Sequence, residues 1–172
     1  PPPPPPVPVL DHTMRDEFRA ISYEGNDGTH RFEQGWFEYG DDGYWAGGQT
    51  RVVDYQGSLR LLVTACQSMS RRGALPPTST AAQLSFLYSR VSLEAGDYVS
   101  VQGSSDWLNF TEVGRIQGPA NDSGFRTATF DFTPFIGLYS TVRFVPHISN
   151  GDDGLDAVYL DDVQIAFDGG YP

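Results

Sequence analysis

The chain has 172 residues, a formal net charge of −11, 39% hydrophobic residues and one cysteine. A chain of this length buries roughly 70% of its unfolded surface and needs no metal or disulfide merely to fold, while the lone Cys66 excludes an internal disulfide, a zinc knuckle and a CxxC redox pair. The acidity excludes nucleic acid as a partner, since phosphate backbones are held by basic patches, and no apolar run approaches the roughly 20 residues of a membrane-spanning helix.

In chain order, Pro1 to Pro8 can only be extended polyproline II, because proline fixes φ and lacks an N–H. Residues 1–13 therefore read as a linker or docking segment. Pro3, Pro4, Pro5 and Pro6 are the candidates for contact with an aromatic-lined groove. From Met14 the punctuation is regular. Gly25-Asn26-Asp27-Gly28 and Gly40-Asp41-Asp42-Gly43 are turns. Arg51 to Tyr55, Gly57 and Ser58 to Thr64 form a hairpin, with Leu59, Leu61 and Val63 on one face. Cys66, in an apolar stretch, reads as a small buried hydrophobe. Ser68 to Thr80 is polar and holds Gly73 and Pro76-Pro77, so it reads as a loop.

Leu84, Phe86 and Tyr88 alternate, as do Val99 and Val101, which predicts two further strands. Asp106-Trp107-Leu108-Asn109 is a hairpin tip before a strand over Thr111 to Ile116. Phe125 to Phe132 alternates, Thr133-Pro134 breaks it, and one helical turn fits near Phe135-Ile136. Thr141 to His147 and Val158 to Phe167 are the last strands, separated by the turn Asn150-Gly151-Asp152-Asp153-Gly154. The expected architecture is all-β: an antiparallel two-sheet β-sandwich, or jelly roll, over residues 14–168, followed by a tail over 169–172.

All 11 basic residues are arginine, and the acids are 16 Asp and 6 Glu. Aspartate suits both turns and hard cations. Catalysis finds little support. His12, His30 and His147 sit in unrelated contexts, and no GxSxG, HExxH or P-loop occurs, so no enzyme is expected. Asp41-Asp42, and Asp152-Asp153 with Asp156, read as solvated turns; neither has the length or closing Glu of an EF-hand loop. Tyr44, Trp45 and Trp107 fall in or near turns, where large exposed rings mark a contact with protein or glycan. Trp36 reads as core.

Four stretches together resemble a family. They are Arg15-Asp16-Glu17-Phe18 with Asn26-Asp27-Gly28-Thr29; Gly96-Asp97-Tyr98-Val99-Ser100-Val101 with Ser104-Ser105-Asp106; Phe130-Asp131-Phe132; and Val158-Tyr159-Leu160-Asp161-Asp162-Val163-Gln164-Ile165. The set resembles bacterial extracellular jelly-roll modules related to MAM domains and to galactose-binding-like carbohydrate-binding modules. It departs from the animal MAM pattern in lacking paired cysteines. The resemblance implies a secreted, periplasmic or cell-surface module without catalysis. It also implies a structural Ca2+ joining the first strand to the last, with ligands drawn from Asp16, Glu17, Asn26, Asp27, Asp161 and Asp162. Neighbours on a strand point to opposite faces, so only one of Asp161 and Asp162 is expected to face such a site. The functional expectation is a structural or interaction subunit of a larger assembly, with protein partners or self-assembly through the proline segment. The alternative is a carbohydrate-binding or adhesin module that uses the loop aromatics.

Overall fold

The computed structural model describes residues 1–64, 67–149 and 156–169. The expected Cys66 packing, the Asn150–Gly154 turn and most of the terminal tail lie outside them. Among the described residues eleven strands follow one another in chain order: β1 (His12–Asp16), β2 (Phe37–Tyr39), β3 (Arg51–Tyr55), β4 (Ser58–Val63), β5 (Ser68–Gly73), β6 (Ala82–Val91), β7 (Tyr98–Ser104), β8 (Thr111–Gln117), β9 (Arg126–Asp131), β10 (Ser140–His147) and β11 (Ala157–Phe167). The expected helical turn is a 3-10 turn over Thr133–Phe135. Two antiparallel sheets result. The first runs β3-β4-β11-β6-β9 with β1 also on β11, and the second runs β2-β5-β10-β7-β8. This is the two-sheet jelly roll that the alternation predicts.

Both sheets bury alternate residues against each other. Leu84 and Phe86 of β6 face Val142 and Phe144 of β10 and Val99 and Val101 of β7 in one core. Phe144 meets Phe86 edge-on at 5.2 Å and Trp36 at 6.0 Å. Trp36 is buried, as its sequence context predicts.

β11 is the spine of the first sheet. Its opening residues pair with β4 and its closing residues with β1, while β6 follows it on the other side. The handover lies at a bulge between Asp161 and Gln164, where Asp162 takes a φ of 50°. An extra residue resets the alternation. Val158 and Leu160 point inward before it, and Val163, Ile165 and Phe167 point inward after it. Asp161 and Asp162 therefore do not sit on a simple strand, and both end on an arginine: Asp161 on Arg60, Asp162 on Arg15.

The stretch Ser68–Gly73, expected as loop, is strand β5. The signal was hidden because only one of its inward residues is apolar. Met69 and Arg71 point into the core and are both fully buried. The Arg71 guanidinium pairs with buried Asp16, donates to the carbonyl of Gly25 at 2.6 Å and to that of Gln34 at 3.1 Å, and lies 4.2 Å from the Phe32 ring centre. Asp16 also accepts from Phe18 N at 2.8 Å and Trp36 Nε1 at 3.0 Å. Burial pushes the Asp16 carboxyl up and the Arg71 guanidinium down, and each holds the other charged.

Removing one partner of such a pair strands a buried charge, at a cost of about 3–5 kcal/mol. Asp16→Ala is therefore expected to lower Tm by about 10 °C or more in a domain of this size. Asp16→Ala with Arg71→Met should recover much of that loss. A melting curve for the single variant within about 2 °C of wild type would show that the pair does not hold the β1–β2 segment.

Candidate functional site

Three groups of residues bear on function: the acidic corner where β1 meets β11, the aromatic loops, and the outer face of the second sheet.

At the corner, β1 and β11 are adjacent, with Asp16 opposite Val163. Every candidate calcium ligand there already has a partner. Asp162 accepts from Arg15 Nη2 at 3.0 Å, and Glu17 pairs with Arg15 at 2.8 Å and with Arg19. Asp27 accepts from Glu17 N at 2.9 Å and faces Arg19 at 3.6 Å. Asn26 Oδ1 accepts from Phe32 N at 2.7 Å. Asp16 and Asp161 belong to Arg71 and Arg60. Burial pushes the Asp161 carboxyl up, and Arg60 opposes that shift. The positive charge among these oxygens is guanidinium.

Among the described residues, oxygens of three carboxylates lie within 4.8 Å of one another in two other places: Glu38, Asp41 and Asp42, and Glu94, Asp97 and Asp156. Asp41 and Asp42 are exposed, as the sequence suggests, whereas Asp156, read there as part of a solvated turn, is buried. Burial pushes the Glu38 carboxyl up and the nearby Asp41 charge adds to that shift, while the Tyr23 hydroxyl, donating at 2.7 Å, opposes it.

The loop aromatics lie apart from this corner. Tyr44 and Trp45, in the β2–β3 connection, are 50% and 42% exposed, with ring centres 4.8 Å apart. Trp107 is 44% exposed at the β7–β8 tip and takes a φ of 62°. Asp106 holds that tip by accepting from Leu108 N at 2.9 Å and Asn109 N at 2.8 Å. The ring of Trp107 lies 4.6 Å under the Arg72 guanidinium. Pro3, Pro4, Pro5 and Pro6 are exposed, as are residues 1–9 throughout.

The outer face of the second sheet was not singled out by sequence reasoning. Strand register places Phe37, Ser70, Arg143, Gln102 and Glu112 in one row across β2, β5, β10, β7 and β8. With neighbouring strands about 4.8 Å apart, the row spans roughly 19 Å. The adjacent rows hold Tyr39, Ser68, Val145, Ser100 and Arg115 on one side, and Arg72, Thr141 and Ser104 on the other. Ser70, Ser100, Ser104 and Thr141 are buried although they face outward, because longer neighbours stand over them. The face therefore has low polar tracks between raised rings and guanidinium groups.

A hydrogen-bond relay fixes these groups. Arg143 Nε donates to Gln102 Oε1 at 2.8 Å, Gln102 Nε2 to Ser100 Oγ at 3.1 Å, and Ser100 Oγ to Glu112 Oε2 at 2.5 Å. Arg115 Nε closes the relay on Glu112 Oε1 at 2.8 Å. Ser100 and Arg115 hold the Glu112 carboxyl below its usual range. The Arg143 guanidinium rests 3.5 Å from the Phe110 ring centre, and Arg115 lies 4.1 Å from that of Tyr98, which stacks on His147 at 4.5 Å. Phe37 and Tyr39 flank the face at 52% and 57% exposure. The available signal was period-two alternation. Val99, Val101, Val142 and Phe144 point inward, which forces Ser100, Gln102, Thr141 and Arg143 outward.

No protein-family model matches the sequence, and no curated protein matches it. Solved structures do. The CBM22-1–GH10 modules of Clostridium thermocellum xylanase 10B, complexed with xylohexaose, match at 11% identity and a TM-score of 0.54 over 94% of this chain and 29% of that one. TmCBM61, in complex with β-1,4-galactotriose, matches at 15% identity and 0.51 over 87% and 97%. The K2 cleaved adhesin domain of Lys-gingipain matches at 19% identity and 0.45 over 68% and 78%. These likenesses, all under 20% identical, show a shared fold, the two-sheet jelly roll that the sequence predicts. Among the described residues, no helix is long and apolar enough to cross a membrane.

Proposed function

We propose that this is a non-catalytic, secreted or surface-exposed module that binds a glycan on the outer face of its second sheet. The observation that carries the reading is the row Phe37–Ser70–Arg143–Gln102–Glu112 and the rings around it. A pyranose has apolar C–H faces and an equatorial belt of hydroxyls. Exposed Phe37, Tyr39 and Trp107 offer flat apolar surfaces, while Gln102, Arg143 and Glu112 offer donors and acceptors fixed in advance by the relay. Groups already held in place lose little conformational entropy on binding. The fold adds support, since two matching structures hold an oligosaccharide. In affinity electrophoresis against a polysaccharide panel, the wild type is expected to be retarded by at least one polymer. Phe37→Ala, Tyr39→Ala and Gln102→Ala should each lose most of that retardation. A panel without a hit, or a hit indifferent to all three variants, would overturn the reading.

Calcium is the finer part of this proposal. At the β1–β11 corner, an ion would have to displace Arg15, Arg60 or Arg71, whose charges already serve the carboxylates. We place it instead at Glu38, Asp41 and Asp42, whose carboxylate oxygens lie within 4.8 Å of one another. The same segment carries Tyr44 and Trp45, so calcium would order that aromatic pair. Because the Glu38 carboxyl is raised, its protonated form stabilises the fold at low pH, and that contribution is lost as pH rises through the raised value. Calcium should therefore stabilise more at pH 8 than at pH 5. At about a hundredfold excess over Kd, the gain is roughly 5–10 °C in Tm. Asp41→Asn should abolish it, and a metal-stripped protein whose Tm ignores calcium at both pH values would remove calcium from the account.

The exposed proline segment supports a second role, docking on a protein partner or on another copy of the chain. Residues 1–9 leave their surface free of the chain's own sandwich. Light scattering of the full chain should then show a mass above one subunit, or capture of a neighbouring chain, that is lost on deleting Pro1–Pro8. Identical behaviour of the two forms, alone and with partner chains, would end this role.

A further inference from the structure

Among the described residues, eight of the eleven arginines sit in ion pairs with carboxylates; the others are Arg31, Arg51 and Arg143. Arg31 is exposed, and Arg51 donates to the Gly48 carbonyl. Arg143 differs from both. It is half-buried in the middle strand of the second sheet, burial pushes its guanidinium down, and no carboxylate among the described residues pairs with it. In a chain with a net charge of −11, an uncompensated cation at the centre of a sheet face is a specific arrangement.

The group is also held for use. Phe110 supports one face of the guanidinium at 3.5 Å, and Nε is committed to Gln102 Oε1 at 2.8 Å. Nη1 and Nη2 make no hydrogen bond among the described residues. Two such N–H groups side by side form the planar fork that a carboxylate meets bidentately. Across β5 lies the small Ser70, which leaves room between Arg143 and Phe37. The outward side chains of these strands include Arg72, Arg115 and Arg143 but only Glu112 as an acid, and Glu112 already serves Ser100 and Arg115.

We propose that the glycan bound on this face carries a carboxylate, as a uronic acid residue, and that the free edge of Arg143 is its receptor. The inference rests on the glycan-binding reading and specifies its ligand. A hydrogen bond to a charged group contributes enough for about a tenfold to hundredfold difference in affinity.

The test compares oligosaccharides bearing galacturonic or glucuronic acid with the same oligosaccharides after reduction of the carboxyl to a primary alcohol. Calorimetric titration of the full chain should give at least one uronate ligand whose affinity falls about tenfold or more on carboxyl reduction. Arg143→Gln should lose the preference for the acid, binding the uronate and its reduced form alike. Arg143→Lys, which keeps the charge and loses the fork, should fall between. Circular dichroism melts confirm that both variants are folded, and if Arg143→Gln fails to fold, Arg143→Lys with the reduced ligands still decides the matter. Equal binding of the acidic and reduced forms by the wild type would overturn the carboxylate assignment and leave the glycan reading standing. Tighter binding of sulfated oligosaccharides than of uronates would overturn it in favour of a sulfate ester. Binding of neither acidic nor neutral glycans would remove both readings together.

Discussion

The buried pair of Asp16 and Arg71 decides how the two sheets meet. Asp16 closes β1 in the first sheet, and Arg71 lies in β5 of the second, so their ion pair crosses the core. The carbonyls of Gly25 and Gln34 and the rings of Phe32 and Trp36 gather on the same guanidinium, which organises the long β1–β2 connection. A buried ion pair is weak evidence for net stability, because desolvation offsets the Coulombic gain. Its consequence here is register. A slip of β5 by one residue would send Arg71 to the surface and bring Ser70 and Arg72 into the core. With Arg71 inward, Ser70 stands opposite both Phe37 and Arg143, and Arg72 stands opposite Thr141. The outer face proposed to bind glycan thus inherits its pattern from a contact on the opposite side of the sheet.

Arginine is the only basic residue in the chain, and its geometry explains how the carboxylates are organised. Asp122 accepts from Arg90 Nε at 2.8 Å, Arg90 Nη2 at 2.9 Å and Arg126 Nε at 2.9 Å, and this bidentate pairing holds its carboxyl well below the usual range. At the β1–β11 corner Arg15 grips Asp162 through two nitrogens, while Arg60 and Arg71 pair with Asp161 and Asp16 through one nitrogen each. A guanidinium supplies planar donors where a calcium ion would supply a compact charge. β1 and β11 lie side by side, and the Arg15–Asp162 ion pair ties them at this corner.

Most strands were legible because their inward residues are apolar at period two. β6, β10 and the hairpin of β3 and β4 follow that rule. β5 was illegible for a physical reason: a buried, fully paired arginine has the sequence appearance of a solvated one, and Ser-Met-Ser-Arg-Arg-Gly offers a single hydrophobe. The bulge at Asp162 was equally invisible, since a positive φ at a non-glycine residue leaves no compositional mark. For the candidate site, sequence reasoning found the aromatics at turns, because large rings among turn formers stand out. It missed Gln102, Arg143 and Glu112, which lie inside strands whose apolar alternation drew attention inward. Their proposed role resides in the half of the pattern that the core does not use.

That division bears on ligand choice. The chain's net charge of −11 repels a dense polyanion at long range, but exposed charges are screened over about 8 Å at physiological ionic strength. Arg143 acts within that distance, on a face where the other arginines are matched to Glu33 and Glu112. A glycan with isolated carboxylates on a largely neutral backbone satisfies both conditions. In the proposed complex it would bring one anion to the free fork of Arg143 and lay uncharged rings over the serine tracks and against Phe37 and Tyr39. Long-range repulsion and short-range recognition then act as separate filters, the first against polyanions and the second against fully neutral chains.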